Sequence, residues 1–288
     1  MTSETVTIER VAAPSEREFS ERFLTRAQPV VITGAMNRWP AMKQWTDEFL
    51  KARVGPQSVV ARSYRRNVGV AKHEWTTNCD FERTTVGEFI DDVAASRAQY
   101  RYLAQLNIPV QLTPLLDDAP RPEFMNRKAQ NPVLWMGPGG HVEPLHFDQA
   151  HGLLCQVRGS KRFVLFRPAS YFGLYPFAGW SGLAPWFSRV DIDHPDIDRF
   201  PRFASIGGRV EGILHPGEML FIPFGWWHQI SCIDPSCISV THFFHQSMSE
   251  AVARLAKDHW YRTALGHSAV FMIRQIANAR VKARRARS

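Results

Sequence analysis

The chain is predicted to fold as a single mainly β barrel flanked by helices, and three observations carry that expectation. Short apolar segments separated by turns with Gly or Pro run from Val133 to Phe244. Helical periodicity is confined to segments before residue 100 and after Ser249. The third is size: with 288 residues, 44% of them hydrophobic, the chain can bury a full core, and barrels with insertions reach that length as one unit.

Residues 14–27 form the first expected helix, with Ser15 as N-cap, Glu18 three residues on, and Phe19, Phe23 and Leu24 on one face. Residues 29–34 read as a buried strand ending in a turn, and a helix is expected near 47–53. Residues 59–64 are a second strand, followed by a polar, irregular stretch to about Arg83. A helix over 85–98 follows, capped by Thr84 or Thr85, with Phe89, Ile90 and Val93 as its apolar side. Residues 101–105 should be a strand with Tyr102 and Ala104 on one face, and the Pro-rich residues 106–130 should loop over the outside.

Val133 opens the barrel-forming strands. Past a Pro/Gly-rich turn come His146 and Asp148, two residues apart, so an extended backbone aims both side chains at one face. The strands 153–157 and 161–166 follow, joined by the turn Arg158, Gly159, Ser160. Between Phe166 and Val210 lies an insertion rich in aromatic residues, Pro and Asp, a length that usually serves as a lid or substrate wall. Residues 211–223 read as strand, Pro-Gly turn and strand, and 237–244 as the last clear strand. From Ser249 two helical segments are expected, split near Gly266, His267 and Ser268.

His146 and Asp148 would supply two-thirds of a 2-His-1-carboxylate triad, which leaves open positions on a non-haem Fe(II) ion. His228, past the turn that follows Ile222 and Pro223, can supply the third ligand; taken alone it reads as a core or surface histidine sooner than as a ligand. His141, Glu143 and His146 form a second cluster with ligand-like spacing, but Pro144 is expected to turn the chain between them, which favours the His146/Asp148 pair. Lys161 opens an apolar strand. Periodicity leaves open whether it sits at an exposed strand start or faces inward with Phe163 and Leu165, where an unpaired ammonium would need an anion such as a dicarboxylate.

Composition excludes several classes. No apolar run approaches the ~20 residues that cross a bilayer. The first ten residues lack the basic and apolar regions of a secretion signal, and Cys79, Cys155, Cys232 and Cys237 form no CxxC pair. A cytoplasmic protein with reduced cysteines is the resulting expectation. Much of the net charge of +8 falls between Arg274 and Arg287, with Lys282, Arg284, Arg285 and Arg287 at the end, which reads as a solvated basic helix end before a nucleic-acid surface.

These residues resemble the JmjC/cupin-like Fe(II)- and 2-oxoglutarate-dependent oxygenases, nearest in pattern to the asparaginyl hydroxylase of hypoxia-inducible factor and the small JmjC-only hydroxylases. The resemblance spans roughly residues 28 to 246. It rests on PVVITG from Pro29 with Trp39, Pro40 and Ala41; YLAQ from Tyr102; PLHFD from Pro144; QVRGSK from Gln156; and PGE from Pro216 with Ile222, Pro223, Trp226, Trp227 and His228. It implies a double-stranded β-helix (jelly-roll) over residues 1–246, with 247–288 as a helical extension ending in the basic tail. It also implies His146, Asp148 and His228 as iron ligands, with Tyr102 and Lys161 holding the distal carboxylate of 2-oxoglutarate. Three positions depart from the family pattern. Glu143 stands where many relatives have Ser or Thr, His151 and Gly152 where Asn is frequent, and His242 where a small polar residue lies near the metal, which puts His242 among the co-substrate positions.

The implied reaction couples O2-dependent decarboxylation of 2-oxoglutarate, giving succinate and CO2, to hydroxylation of a C–H on a protein or peptide side chain. The same chemistry on a free amino acid, a small metabolite or a modified tRNA base is the alternative, ahead of N-methyl-lysine demethylation and of a non-catalytic metal-binding cupin. Apolar stripes at helical spacing (Val252, Leu255, Ala256 and Trp260; Val270, Ile273, Ile276 and Ala277) lead to the expectation of a homodimer through the C-terminal helices.

Overall fold

Alternation along the central strands sorts side chains onto two surfaces, and two facing sheets result. The computed structural model describes residues 5–64, 79–127, 129–181 and 183–285, with side chains described up to residue 279. The strands are β1 (Thr5–Val6), β2 (Arg10–Ala12), β3 (Val30–Thr33), β4 (Ser58–Tyr64), β5 (Cys79–Thr85), β6 (Arg101–Asn107), β7 (Val133–Pro138), β8 (Val142–Phe147), β9 (His151–Arg158), β10 (Lys161–Phe166), β11 (Arg209–Leu214), β12 (Met219–Ile222), β13 (Trp227–Cys232) and β14 (Ser236–Phe244). A five-stranded sheet has the order β1-β11-β10-β13-β8, and a nine-stranded sheet the order β2-β3-β12-β9-β14-β7-β6-β4-β5. This is the jelly-roll expected from the sequence.

Strands β9 and β14 explain how the large sheet divides its duties. Leu153, Cys155, Ile238, Val240 and Phe244 point outward into a core shared with the N-terminal helices, where Phe19, Phe23 and Leu24 are also buried. Gly152, Leu154, Thr241 and Phe243 point inward, toward the small sheet. Between the sheets, Leu154, Phe163, Leu165, Leu220, Ile222 and Ile230 close the barrel interior.

The expected caps hold. The Ser15 hydroxyl accepts from Glu18 N–H, and Thr85 and Glu88 form a reciprocal capping box that starts the helix Val86–Ala94. Several boundaries differ from expectation for physical reasons. β5 is polar and mostly exposed, so hydrophobic periodicity could not find it; it forms through its ladder with β4, Tyr64 pairing with Cys79. Residues 65–78, the rest of the stretch expected to be irregular, lie outside the described residues. The Pro-rich 106–130 stretch turns inward instead of looping outside, burying Ile108, Leu112, Leu115, Phe124 and Met125 in the core.

The C-terminal helices divide at Asp258, between Met248–Lys257 and His259–Arg285, and the second runs through Gly266 unbroken. Trp260, Tyr261 and Ala264 anchor this pair in a cluster with Phe147, Tyr171, Phe224 and Trp227. Gly225 permits that contact: a Cβ there would lie 2.4 Å from Trp260. The helix then leaves Val270, Met272, Ile273 and Ile276 exposed. The side chains of Lys282, Arg284 and Arg285, and all of Arg287, lie outside the described residues. All four cysteines are free thiols. No helix among the described residues is long and apolar enough to cross a membrane.

Candidate metal centre

Antiparallel pairing of β8 with β13 sets His146 directly opposite His228, their ring centroids 4.2 Å apart. Asp148, just past the end of β8, brings one carboxylate oxygen to 3.8 Å from His146 Nε2 and the other to 3.5 Å from His228 Nε2. The three ligand atoms lie within 4.8 Å of one another, and no other group of three potential ligands converges in this way among the described residues. Each ring is aimed by its other nitrogen. His146 Nδ1 donates to the Pro144 carbonyl at 2.7 Å, and His228 Nδ1 donates to the Trp226 carbonyl at 3.0 Å. A carbonyl only accepts, so Nδ1 carries the proton and the Nε2 lone pair faces the triad centre. Burial, and then the neighbouring His146, push His228 down to about 4, which keeps it a neutral ligand.

Pro144 does not turn the chain. β8 runs through it, and a bulge forms: from His228 to Ile230 β13 advances two residues, while β8 advances three from His146 back to Glu143. Proline, which has no N–H to contribute to a ladder, suits the extra position. The consequence is that Glu143 and His146 line the same cavity, while Leu145 and Phe147 pack outward.

That cavity has a volume of about 270 Å³, lies between the sheets and contains the triad, Tyr102 and Lys161. Lys161 is 1% exposed, and among the described residues Nζ meets hydroxyls, Ser239 Oγ at 2.8 Å and Tyr102 Oη at 3.3 Å. Of the two readings periodicity allowed, the inward one holds. A buried ammonium with no carboxylate partner among the described residues suits an anionic ligand. Thr241 Oγ1 and Trp135 Nε1, from two other lining residues, likewise have no partner among the described residues. The cavity therefore fits both a metal, through the triad, and a carboxylate, through Lys161.

Glu143 is paired. Arg62 Nη1 donates to its two oxygens at 3.0 and 3.2 Å, and His141 Nε2 is 3.7 Å away. Burial alone would raise its pKa, but Arg62 and then His141 outweigh that and hold the carboxyl well below the usual carboxylate range. His141 itself stacks on Tyr102, with ring centroids 3.7 Å apart.

The other two departures lie elsewhere. His242 is withdrawn from the co-substrate set: Thr241 and Phe243 line the cavity, and alternation turns His242 to the opposite face, edge-on to Trp39. His151 packs between Phe221 and Phe244 and accepts a hydrogen bond from the Phe224 N–H at 3.1 Å.

Sequence reasoning missed Arg62, Gln105, Trp135 and the cavity wall from the insertion, Ala184, Trp186 and Phe187. Arg62 carried a signal, because Val59 and Ala61 pack into the outer core and leave it on the other face. Gln105 did not; it reaches the cavity through a bulge in β6 and a positive φ of 55°. The insertion docks on the free edge of β8, where Phe147 N–H donates to Trp186 O at 3.1 Å and Ser188 N–H to Leu145 O at 2.9 Å. Phe271 of the last helix packs against Trp186.

Comparison with known proteins gives the same family. A model described as a cupin-like domain matches residues 15–250. The chain is 32% identical over 235 residues to lysine-specific demethylase 8 of Xenopus tropicalis, covering 80% of this chain and 51% of the relative. It is 30% identical over 236 residues to Jumonji C domain-containing protein 5 of Drosophila melanogaster, covering 80% and 58%. It is 27% identical over 261 residues to human HSPB1-associated protein 1, covering 82% and 52%. The chain thus spans about half the length of the curated relatives it matches.

Proposed function

Because the chain belongs to the cupin-like JmjC domain family, we propose that it is an Fe(II)- and 2-oxoglutarate-dependent dioxygenase that hydroxylates a C–H of a protein or peptide side chain. The observation that carries this reading is the sharing of one cavity by the His146, Asp148 and His228 triad and the buried Lys161, whose partners among the described residues are hydroxyls. Iron with 2-oxoglutarate, when bound, supplies the O2-dependent oxidation that couples decarboxylation to C–H hydroxylation.

The chain's own residues supply the rest. His146, Asp148 and His228 would hold the metal and leave coordination positions for the co-substrate. Lys161 and Tyr102 bind the distal carboxylate, with Ser239 fixing the ammonium from behind. Pro144 and Trp226, through their carbonyls, keep the two imidazoles in the ligating tautomer. Ala184, Trp186 and Phe187 exclude water from one side of the metal and form the wall against which a substrate side chain orients. Residues 1–246 form the catalytic unit in this reading. The extension from 247 onward braces Trp186 through Phe271 and offers its exposed apolar residues to a second copy.

The test is succinate formation from 2-oxoglutarate with Fe(II) and ascorbate, across peptides with and without methyl-lysine, free amino acids and tRNA. Stimulation by an unmodified peptide, with a mass gain of one oxygen on it, is the expected result. Stimulation by methyl-lysine peptides alone would replace hydroxylation by demethylation, the activity that the name of the Xenopus relative carries. Absence of 2-oxoglutarate turnover and binding throughout would overturn the oxygenase reading.

A further inference from the structure

The cavity holds a charge pair between the metal ligands and the co-substrate anchors. Arg62 lies opposite Tyr102 in the β4–β6 ladder, and the Tyr102 hydroxyl in turn touches Lys161. Glu143 stands three residues before His146 and reaches the same cavity through the Pro144 bulge. Both members are largely shielded from water, with side chains 16% and 10% exposed, so their field is weakly screened.

Among the described residues that line the cavity, Arg62 and Lys161 are cations, and Glu143 and Asp148 are anions. A divalent metal and a dicarboxylate cancel each other, so these lining charges balance when Arg62 and Glu143 are both present or both removed, and not when only one of them is. Without Arg62 the Glu143 carboxylate would face the dianion across a small, shielded space, and without Glu143 the positive charge of Arg62 would be less offset toward it.

Resting on the co-substrate reading above, we propose that Arg62 is a positioning residue that neutralises Glu143 and so sets the affinity of the cavity for 2-oxoglutarate. Arg62 acts on the co-substrate through Glu143, not by gripping it. The pair lets this chain carry a carboxylate beside a dianion subsite without loss of affinity, each member offsetting the other.

The experiment measures 2-oxoglutarate binding to the full chain loaded with Mn(II), by calorimetry and by quenching of tryptophan fluorescence, so turnover is not needed. Arg62→Met should weaken binding about thirtyfold, the scale for stranding one member of a buried charge pair. Glu143→Gln should tighten it by roughly tenfold. The double variant should return to within about threefold of wild type, and Arg62→Lys should recover much of the loss. Should Arg62→Met fail to fold, Glu143→Gln and the double variant still decide. The proposal is overturned if Glu143→Gln leaves affinity unchanged, or if the double variant binds much more weakly than wild type, which would mean that Arg62 grips the co-substrate itself. If the wild-type chain binds 2-oxoglutarate and this pattern is absent, the inference alone falls. If wild type binds none, the co-substrate reading falls and takes the inference with it.

Discussion

A Cβ on Gly137 would lie 2.2 Å from Cδ2 of Tyr102, and His141 stacks on Tyr102 at 3.7 Å, so the phenol packs tightly against both. The first prediction follows from that contact. Gly137→Ala should weaken 2-oxoglutarate binding by at least as much as Tyr102→Phe, although it removes no polar atom, because the ring and its hydroxyl must shift. The overpacking should also lower stability by about 1–3 kcal/mol. Wild-type affinity in Gly137→Ala would mean that the position of Tyr102 is not what the co-substrate reads.

Loss of a triad member should separate metal binding from folding. His228→Ala should abolish Mn(II) binding, followed by electron paramagnetic resonance, and all 2-oxoglutarate turnover, while the circular dichroism spectrum stays unchanged. Full turnover in that variant would remove His228 from the ligand set.

Lys161→Ala should raise the 2-oxoglutarate dissociation constant by an amount worth about 2–5 kcal/mol, the cost of stranding a buried charge partner. Tyr102→Phe should cost about 1 kcal/mol, the net worth of one hydrogen bond. Calorimetry with Mn(II) in place of Fe(II) reads both, and unchanged affinity in both would remove the co-substrate assignment.

His242 should make stability depend on pH. Burial, and then Arg121, push it down to about 4 from its ordinary 6.5, and Nε2 has no partner among the described residues. Between those values the unfolded chain binds the extra proton. The stability linked to His242 is therefore complete above pH 6.5 and declines as the pH falls toward 4. By pH 5 the loss is on the order of 2 kcal/mol. His242→Leu should lose that much less stability than wild type between pH 7 and pH 5 in urea titrations; parallel losses would refute it.

The exposed residues Val270, Met272, Ile273 and Ile276 should be covered by a second copy. Light scattering at micromolar concentration should give a dimer for the full chain and a monomer for the double variant Ile273→Glu, Ile276→Glu. Substitution is a cleaner test than truncation after Gln246, which would also strip Trp260, Tyr261 and Ala264 from the core. A full-length monomer would refute the interface.

The legible parts of this molecule were those where local pattern and burial coincide. Phe19, Phe23 and Leu24 and the capped helix after Thr85 read correctly because one face of each is apolar, and the central aliphatic strands because both of their faces are buried. The spacing of His146 and Asp148 was legible because two residues is the period of a strand. What stayed hidden depends on pairing partners. β5 is polar and exists through β4, and Arg62 meets Glu143 across 81 residues. His242 was misassigned because a single residue of offset on β14 separates the cavity from the outer core.

The extra residue at Pro144 also sets how this strand can change over time. It acts as a half-period phase shift: on its N-terminal side Glu143 faces the cavity, and on its C-terminal side His146 does. Away from Glu143 and His146 the side chains here can be exchanged in type, and the one residue of length that can be given up is the extra one. Deleting Pro144 would remove the bulge and leave Glu143 and His146 two residues apart, the period of a strand, so both would still face the cavity. A deletion scan across residues 142–147 should therefore tolerate loss of Pro144, whereas loss of Phe147, which breaks the two-residue spacing of His146 and Asp148, should abolish activity.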